Sequence, residues 1–421
     1  MLDIKLIRED AKSVEKKLKS KDPSVEIGPI VELDEAIRKI KYRVEELKSE
    51  RNQASQKIGE MKRNKEDASE MMEQVKSHGE TIKELDNELF EKETTFNDLM
   101  SRLPNIPSDE IKVSGDPKDN VIIKEVGKKP TFSFDFKNHL ELSDKHNLFD
   151  FKRGAKVSGS GWPIYRGKGA RLEWALLNYM IDTHIKNGFE QVIAPICVKR
   201  ETSYWSGQLP KFEDQQFKIT DEDYDLFLIP TAEVSLNGFH GDEILTDEEL
   251  PIKYIAYTPC FRREAGAAGK GERGLIRTHQ FNKVEMFCFA KPENSDKVFD
   301  DMMKSAEEIL AGLGLHYRNA LLVTGDMSFG SKKTIDIEVW LPGQDRYYEV
   351  SSVSNCGDFQ ARRSNCRYRD QDGKPAFLHT LNGSGLATSR LMVALLETNQ
   401  QPDGTILIPE VLHPYTGFDR I

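Results

Sequence analysis

Two stretches in the second half of the chain combine arginines, carboxylates and an aromatic ring at the spacing of β-strands. Residues 253–264 and 275–289 both alternate, so that every second side chain falls on one face. The side chains on these faces include Arg262, Glu264, Arg277, Phe281 and Glu285. Arginine presents a planar fork to phosphate or carboxylate oxygens, and phenylalanine presents a flat surface to a base. The pattern suits a nucleotide, although an amphipathic hairpin with solvated charges is the simpler interpretation of this segment alone.

The residues that join these stretches, Ala265 to Gly274, are mostly Gly and Ala, which predicts a mobile loop between two antiparallel strands. The chain contains no GxxxxGK[ST] segment and no strand–GxGxxG–helix unit. P-loop and Rossmann sites are therefore excluded, and arginine side chains would have to bind any phosphates.

Two further segments carry candidate chemistry. A strand predicted over 377–382 is followed by Gly383, Ser384 and Gly385 and then by a helix over 386–397, with Arg390 in its first turns. Small residues let the backbone approach a ligand, but a plain strand–turn–helix with a surface arginine is an equal alternative.

The second of these segments, residues 346–355, holds Glu349 among strand-forming residues. A single carboxylate on a strand is usually solvated, whereas Glu and Ser oxygens also suit Mg²⁺ bridged to phosphates.

The N-terminal part of the chain predicts two long helices that fold back on each other as a coiled-coil hairpin. Apolar residues recur there at alternating steps of four and three, with a polar break at 63–67. The first series is Ile37, Ile40, Val44, Leu47, Arg51, Ala54, Ile58 and Met61. The second is Ala68, Met71, Val75, His78, Ile82, Leu85, Leu89, Lys92, Phe96, Leu99 and Leu103. Seams this narrow predict an arm over about 33–103 that projects into solvent.

The two predicted helices differ in charge. Residues 36–65 carry ten basic and four acidic side chains, and the second helix is acidic. From charge alone, a solvated face that pairs with its neighbour is favoured over an RNA-binding surface. Arg51 lies on the seam itself and is expected to pair with an acidic residue opposite.

Composition and helix-breaking prolines indicate the domain organisation. The chain has 421 residues and a net charge of -10, which argues against general nucleic-acid adhesion but allows local basic patches. Pro104 and Pro107 cannot continue a helix, so we predict domains over 1–107 and 108–421. After this boundary the stretch to about residue 147 suggests short strands and turns, and a glycine-rich segment at 154–169 opens a helix over 170–186. Strand and helix patterns then mix to the end, which predicts an α+β fold.

The cysteines and the apolar segments bear on location. Five cysteines form no CxxC pair, so neither a disulfide framework nor a structural zinc site is indicated, and a reducing cytoplasm fits best. No stretch approaches the 18 or so apolar residues of a membrane span, which predicts a cytoplasmic protein without membrane association.

Taken together, these segments resemble the signature motifs of class II aminoacyl-tRNA synthetases, and in detail the bacterial type of seryl-tRNA synthetases. The matching runs are Thr231-Ala232-Glu233, Phe261-Arg262-Arg263-Glu264-Ala265-Gly266, Arg277-Thr278-His279-Gln280-Phe281 and Thr380-Leu381-Asn382-Gly383-Ser384-Gly385-Leu386-Ala387. The resemblance covers almost the whole chain. It implies a catalytic core built on an antiparallel sheet with flanking helices, a tRNA-binding N-terminal arm, and a homodimer whose interface includes a first motif ending near Pro195.

The resemblance also implies an activity, partners and residue roles. The family activates serine with ATP and Mg²⁺ and transfers it to tRNA(Ser), and to tRNA(Sec) where that pathway exists. The implied serine site comprises Thr231, Ala232, Glu233, Arg262, Glu285, Asn382 and Ser384. The implied ATP site comprises Arg262, Arg263, Glu264, Arg277, Phe281, Glu349, Val350, Ser351, Ser352 and Arg390. Catalysis would depend on Arg262, Arg390 and Glu349, and Mg²⁺ would be held by Glu349 and Ser352. Candidate arm contacts to tRNA are Arg38, Lys41, Lys48 and Lys62.

Within these roles, Glu285 would meet the ammonium of serine, and Arg262 would bridge the serine carboxylate and the α-phosphate. Strict alternation puts Glu349 and Ser352 on opposite faces of a strand, so a bulge or a strand end between them is required. Two small departures from the family are Ser206, where threonine is frequent, and a varied loop at 270–272. No Cys/His cluster supports the zinc site of the atypical archaeal branch.

Two other functions stay open at this point: a synthetase-like paralogue that binds tRNA or another ligand without catalysis, and a coiled-coil scaffold. A degenerate paralogue should have lost at least one of Arg262, Glu285, Glu349 or Arg390, and all four are present.

Overall fold

A computed structural model describes residues 1–264 and 274–421 of the chain. These residues form two compact units, Leu2–Leu103 and Pro104–Ile421, with Met1 belonging to the second. The predicted loop at 265–274, the motif residues Ala265 and Gly266 and the varied positions 270–272 lie outside the described residues, apart from Gly274.

The first unit is helical, with α1 over Ile4–Lys19, α2 over Gly28–Arg63 and α3 over Ser69–Ser101. Helix α2 begins five residues before Leu33, because a proline at its first turn is compatible with helix initiation. Along the seam a buried cluster joins the two long helices through Ile40, Val44, Leu47 and Ile82. The predicted hairpin of two long helices is confirmed.

Ion pairs also join the two long helices. Lys41 Nζ lies 2.7 Å from Glu93 Oε1 across the hairpin, and His78 Nε2 lies 3.7 Å from Glu50 Oε2. Basic α2 thus pairs in part with acidic α3. The structure gives Arg51 no ion pair with a carboxylate among the described residues, so the pairing predicted for its side chain is wrong.

The second unit combines helices with strands. Its helices are α4 (His139–His146), α5 (Phe151–Ser158), α6 (Gly167–Lys186), α7 (Arg200–Trp205), α8 (Glu233–Asn237), α9 (Ser295–Gly312), α10 (Phe359–Ser364), α11 (Thr388–Thr398) and α12 (His413–Thr416). Helices α4 and α5 replace the turns and glycine-rich loop predicted there. Asn138 and Glu141 start α4 as a capping box, a signal that the sequence contains.

The strands of the second unit occupy most of its length between these helices. They are β1 (Val121–Val126), β2 (Phe149–Asp150), β3 (Ile164–Tyr165), β4 (Glu190–Val192), β5 (Cys197–Lys199), β6 (Lys218–Thr220), β7 (Asp225–Leu228), β8 (Ile244–Leu245), β9 (Ile252–Phe261), β10 (Gln280–Ala290), β11 (Tyr317–Leu321), β12 (Lys333–Leu341), β13 (Arg346–Gly357), β14 (Arg367–Arg369), β15 (Pro375–Phe377) and β16 (His379–Ala387).

One large sheet organises this unit. Its strand order in the described part of the chain is β1-β11-β12-β13-β16-β10-β9-β4, antiparallel except between β4 and β9. Alternate residues of its central strands, such as Ile337, Val353 and Leu381, are buried in one core with residues of α6, α9 and α11. These helices therefore cover one face. On the other face, Ala256, Phe287 and Phe289 pack in a second core with residues of α8 and α10, and polar side chains line the part beside it. An α+β fold with an antiparallel sheet and flanking helices is confirmed.

The hairpin predicted from alternation is present as β9 and β10, paired in antiparallel register with Phe281 opposite Cys260 and Glu285 opposite Ala256. Strand β9 ends at Phe261, just before Arg262, and β10 begins at Gln280, later than the predicted 275.

The turn predicted at residues 383–385 is wrong, because β16 continues through it to Ala387 and α11 starts at Thr388. The small residues serve close packing within the strand. A Cβ at Gly383 would meet Val353 at 3.0 Å, and one at Gly385 would meet the His184 ring at 2.2 Å.

The irregularity required between Glu349 and Ser352 is present. Register between β12 and β13 shifts there: Ile337 faces Ser351, whereas Glu338 already faces Glu349. Val350 is thus the extra residue of a β-bulge, which confirms the prediction. The bulge turns Glu349 toward the same face of the sheet as Ser352.

Candidate active site

Two adjoining cavities lie on the polar face of the sheet and share Arg262 and Glu264. We call the first the arginine cavity; its lining includes Arg262, Glu264, Arg277, Phe281, Lys283, Glu349, Val350, Ser384 and Arg390. We call the second, of about 370 Å³, the glutamate cavity; its lining includes Thr231, Glu233, Arg262, Glu264, Phe329 and Cys356. Segments far apart in the sequence therefore meet around one arginine.

In the arginine cavity, the end of β9 and the start of β10 hold two arginines and a ring. The Arg262 guanidinium lies 5.1 Å from the centroid of the Phe281 ring, a cation–π distance. The Arg277 guanidinium forms an ion pair with Glu264, Nε to Oε2 2.5 Å. Glu264 has a φ of 48°, so the strand alternation assumed from the sequence does not extend to it, although its side chain still reaches the cavity.

Arg390 approaches the cavity from α11. Its Nη1 donates to the carbonyl oxygen of Glu349 at 2.9 Å and its Nε donates to that of Ile276 at 3.3 Å. The guanidinium also lies 3.6 Å from Glu349 Oε2. Backbone carbonyls from two segments thus fix the direction of this arginine.

The predicted β13 residues differ in position. Glu349 and Val350 line the arginine cavity. Ser351 is fully buried and donates its hydroxyl to the Ser384 carbonyl at 2.5 Å, so it faces the sheet interior. Ser352 stands opposite Asp336 of β12. Burial, and then repulsion from Glu349, raise the pKa of Asp336 well above its usual value.

In the glutamate cavity, Thr231, Ala232 and Glu233 stand at the start of α8. Glu233 Oε1 accepts from Gln360 Nε2 at 2.7 Å and from Asn382 Nδ2 at 3.2 Å. Burial, and then the nearby Glu285 carboxylate, raise the pKa of Glu233 to about 7. The carboxylate therefore lies in a closed polar network close to its titration point at neutral pH.

Glu285 lies on β10 with only 2% of its surface exposed. It forms an ion pair with Lys283 through its buried Oε2 atom. Ala232 is fully buried. Arg263 is exposed, its backbone N–H donates to the Gln215 carbonyl at 3.1 Å, and it is not among the residues that line either cavity.

Sequence reasoning missed several residues that the fold brings to this site. Lys283 alternates with Phe281 and Glu285 on β10, so strand period alone would have included it. Gln360 and Asp336 carry no local signal, because tertiary contacts alone bring α10 and β12 to these cavities.

The site offers oxygen donors for a metal but no cluster of the usual soft ligands. Within residues 1–264 and 274–421, no three His, Cys, Asp or Glu side chains group as a metal site. None of the five cysteines, all of which lie in the described ranges, forms a disulfide. No helix in the described ranges is long and apolar enough to cross a membrane.

The four candidate tRNA contacts on α2 differ in their partners. Arg38 Nε pairs with Asp34 at 3.0 Å, and Lys41 pairs with Glu93 across the hairpin. Lys48 and Lys62 have no ion pair with any described residue. These two cations are therefore the least committed of the four candidates.

Comparison with known proteins places this geometry in a family. Residues 216–399 match the family model of the tRNA synthetase class II core domain (G, H, P, S and T), and residues 1–107 match that of the seryl-tRNA synthetase N-terminal domain. The chain is 53% identical to the serine–tRNA ligase of Chlamydia felis, over 100% of this chain and 99% of the relative.

Solved structures show the same likeness. Seryl-tRNA synthetase from Pyrococcus horikoshii complexed with ATP has a TM-score of 0.94 at 38% identity, covering 100% of this chain and 99% of that one. Cytoplasmic serine–tRNA ligase from Naegleria fowleri in complex with AMP has a TM-score of 0.89 at 29% identity, covering 100% and 98%. The chain belongs to the seryl-tRNA synthetase family of class II aminoacyl-tRNA synthetases.

Proposed function

We propose that the arginine cavity binds ATP and that the glutamate cavity binds serine, so that the chain performs the reaction of its family. It is a serine–tRNA ligase: it activates serine with ATP to seryl-adenylate and pyrophosphate, and then transfers serine to tRNA(Ser). The observation that carries the assignment of the two cavities is Arg262, which lines both and can touch the two reacting partners at once.

For ATP, Phe281 supplies a stacking surface for adenine, and Glu264 accepts from the base. Arg262, Arg277 and Arg390 surround the space that the phosphates would fill, and guanidinium forks match phosphate oxygens. Arg263 is exposed and outside the cavity, so we assign it no contact to ATP in this conformation.

For serine, the buried Glu285 carboxylate is paired with Lys283 through Oε2, and its other oxygen is suited to accept from the ammonium. Asn382 and Glu233 lie together beside it, and Ser384 lines the adjoining cavity. We assign Thr231 to the same subsite. The side chain of Ala232 is buried and would shape the pocket without a polar contact.

The first step needs positioning more than proton transfer. A serine carboxylate oxygen attacks the α-phosphorus, the bond to the bridging oxygen breaks, and pyrophosphate leaves with the electron pair. The carboxylate is already ionised at pH 7, so no protein base is required. Arg262 and Arg390 offset the negative charge that develops on the phosphoryl oxygens.

The residues near Glu349 fit a magnesium ion. Glu349 and Ser352 share a face of the sheet because of the bulge, and the buried Asp336 Oδ1 beside them has no hydrogen bond, so hard oxygen donors are available. When bound with ATP, Mg²⁺ would neutralise phosphate charge.

In the second step a hydroxyl of the terminal adenosine of tRNA attacks the carbonyl carbon of seryl-adenylate, and AMP leaves. We assign tRNA selection to the N-terminal arm, through Arg38, Lys41, Lys48 and Lys62. That tRNA(Sec) is also charged stays a prediction.

A homodimer and a cytoplasmic location complete the proposal. Trp174 and Ile185 on α6, and Ile193 after edge strand β4, expose 53%, 44% and 94% of their surfaces, which suits burial against a second copy through the motif that ends near Pro195. Five cysteines without a disulfide fit a reducing compartment.

The deciding experiment is exchange of labelled pyrophosphate into ATP, without tRNA, in the presence and absence of serine. We expect exchange that depends on serine, and little exchange with alanine, which lacks the hydroxyl group. A non-catalytic paralogue would bind ATP but show no serine-dependent exchange.

A further inference from the structure

Lys283 is a buried cation between the two cavities that the roles assigned so far do not use. It lies on β10 between Phe281 and Glu285, and only 6% of its side chain is exposed. Its Nζ donates to Thr231 Oγ1 at 2.7 Å and forms an ion pair with the Glu285 carboxylate. A buried lysine must be paired to stay charged, and both its partners belong to the proposed serine subsite.

The charges of this subsite balance only when Lys283 is counted. Glu233 and Glu285 contribute two negative charges in one buried region, and like charges this close disfavour joint ionisation. Lys283 offsets one of them, which leaves one negative charge for the ammonium of serine. Arg262 is then free to meet the serine carboxylate, so the set matches a zwitterion.

The hydrogen bonds of Thr231 support the same arrangement. Its Oγ1 accepts from the backbone N–H of Glu233 at 3.2 Å and from Lys283 Nζ at 2.7 Å. A hydroxyl oxygen has two acceptor lone pairs, and both are used. With its oxygen so occupied, the Thr231 hydroxyl can only donate its hydrogen, and an ammonium group, which is a pure donor, has to turn to the carboxylates.

We propose that Lys283 is a positioning residue for amino-acid recognition: it orients Thr231 and Glu285 and supplies a positive charge that offsets one of the two glutamates, so that the subsite accepts the ammonium of serine. This inference rests on the proposed serine subsite. Lys283 acts through its neighbours, so its loss should weaken serine binding while leaving ATP binding in place.

A pH dependence follows from the groups around Glu233. This carboxylate is faced by Glu285, Lys283 and Arg262 and by the amides of Gln360 and Asn382. Its pKa of about 7 means that acid protonates it and removes a charge from the subsite. The serine KM of the wild type should therefore rise as pH falls below about 7. Without Lys283, repulsion between the glutamates grows, and this rise should begin at a higher pH.

The test compares Lys283→Met and Lys283→Gln with the wild type in serine-dependent pyrophosphate exchange between pH 6 and 8.5. We expect the serine KM of both variants to increase at least ~10-fold at pH 7, since the lost interaction is a buried, charge-assisted one. The ATP KM should stay within about twofold, and the pH at which the serine KM rises should shift upward. The matched control is Lys253→Met. Lys253 lies on the neighbouring strand β9 and is paired with Asp301.

Different outcomes test the proposed function and the proposed role of Lys283. Absence of serine-dependent exchange in the wild type would reject the proposed function itself. An active wild type with an unchanged serine KM in either variant would reject the role of Lys283, because glutamine keeps a donor for Thr231 but not the charge. Should both variants fail to fold, judged by ATP binding and thermal melting, a wild-type serine KM that is flat between pH 6 and 8 would overturn the inference.

Discussion

At the scale of single residues, Arg262 has the position that the chemistry needs most, since it lines both cavities and stands over the Phe281 ring. We predict that Arg262→Ala lowers serine-dependent exchange by about 10² to 10³, as loss of an electrostatic contact in a transition state typically does. Arg369→Ala, at an exposed position of β14, serves as the control. Exchange by Arg262→Ala within a few-fold of the wild type would remove this arginine from the mechanism.

Glu285 should separate the two substrates. We predict that Glu285→Ala weakens serine binding far more than ATP binding, because it removes the carboxylate that pairs with Lys283 and that is proposed to meet the ammonium of serine. Titration of each ligand against the variant measures both affinities, and Glu285→Gln tells the loss of charge from the loss of volume. Equal losses for serine and ATP would contradict the assignment.

At the scale of elements, Glu173 ties three segments of the site together from α6. Its Oε1 accepts from Asn282 Nδ2 on β10 at 2.8 Å and from Thr388 Oγ1 on α11 at 2.6 Å. These partners are next to Phe281 and two residues before Arg390, so one buried carboxylate sets the spacing between the strand and the helix. Burial raises the pKa of Glu173 from 4.5 to about 7.

This shift makes a prediction for stability. The folded state holds the Glu173 proton more tightly than the unfolded chain, so stability falls as pH rises from about 4.5 to 7 and is then constant. Glu173→Gln keeps an acceptor without the charge and should not show this loss. Relative to the wild type, the variant should gain up to about 3 kcal/mol of unfolding free energy between pH 5 and pH 8. Chemical denaturation at both pH values measures it; an equal difference at both would show that Glu173 does not titrate in this way.

Local patterns predicted some elements and not others, for physical reasons. Alternation is a local property of β9, β10 and β13, so the sequence predicted which of their side chains share a face. The roles expected of Glu349 and Ser352 also required the bulge between them. The sequence did not predict that β16 continues through its glycines, because these glycines are needed for close packing against His184 and Val353, which lie on distant segments. Lys283 was overlooked although its strand period includes it, since a lysine on an amphipathic strand is usually solvated.

At the scale of the whole molecule, the chain divides its work between two units. The arginine cavity and the glutamate cavity are both built from residues of the second unit, Pro104–Ile421, so we expect amino-acid activation to need no residue of the helical hairpin. The basic side chains of α2 are the remaining candidates for tRNA recognition. Among the four candidates proposed above, Lys48 and Lys62 have no ion pair with the described residues, and so can bind phosphate without first breaking one.

The structure indicates where the hairpin can be shortened. Lys41 Nζ and Glu93 Oε1 lie 2.7 Å apart, so α2 and α3 run side by side at that level and a short flexible linker can join them there. Deleting residues 42–92 keeps the ion pair between Arg8 and Asp34, whose Nη2 and Oδ1 atoms lie 2.6 Å apart. This pair joins α1 to the N-terminal part of α2.

We predict that this deletion leaves pyrophosphate exchange unchanged but strongly reduces the serylation of tRNA. Phosphate contacts release counterions, so tRNA affinity should fall steeply with salt in the wild type and less steeply in the shortened protein, which has lost the contacts of Lys48 and Lys62. Such contacts are largely blind to base identity, and the shape of the RNA would supply specificity. The measurement is the tRNA KM at several salt concentrations, with Lys48→Ala and Lys62→Ala as milder variants that should each flatten the salt dependence slightly. Normal aminoacylation by the shortened protein would show that the arm has a structural or partner-binding role and that tRNA is selected elsewhere.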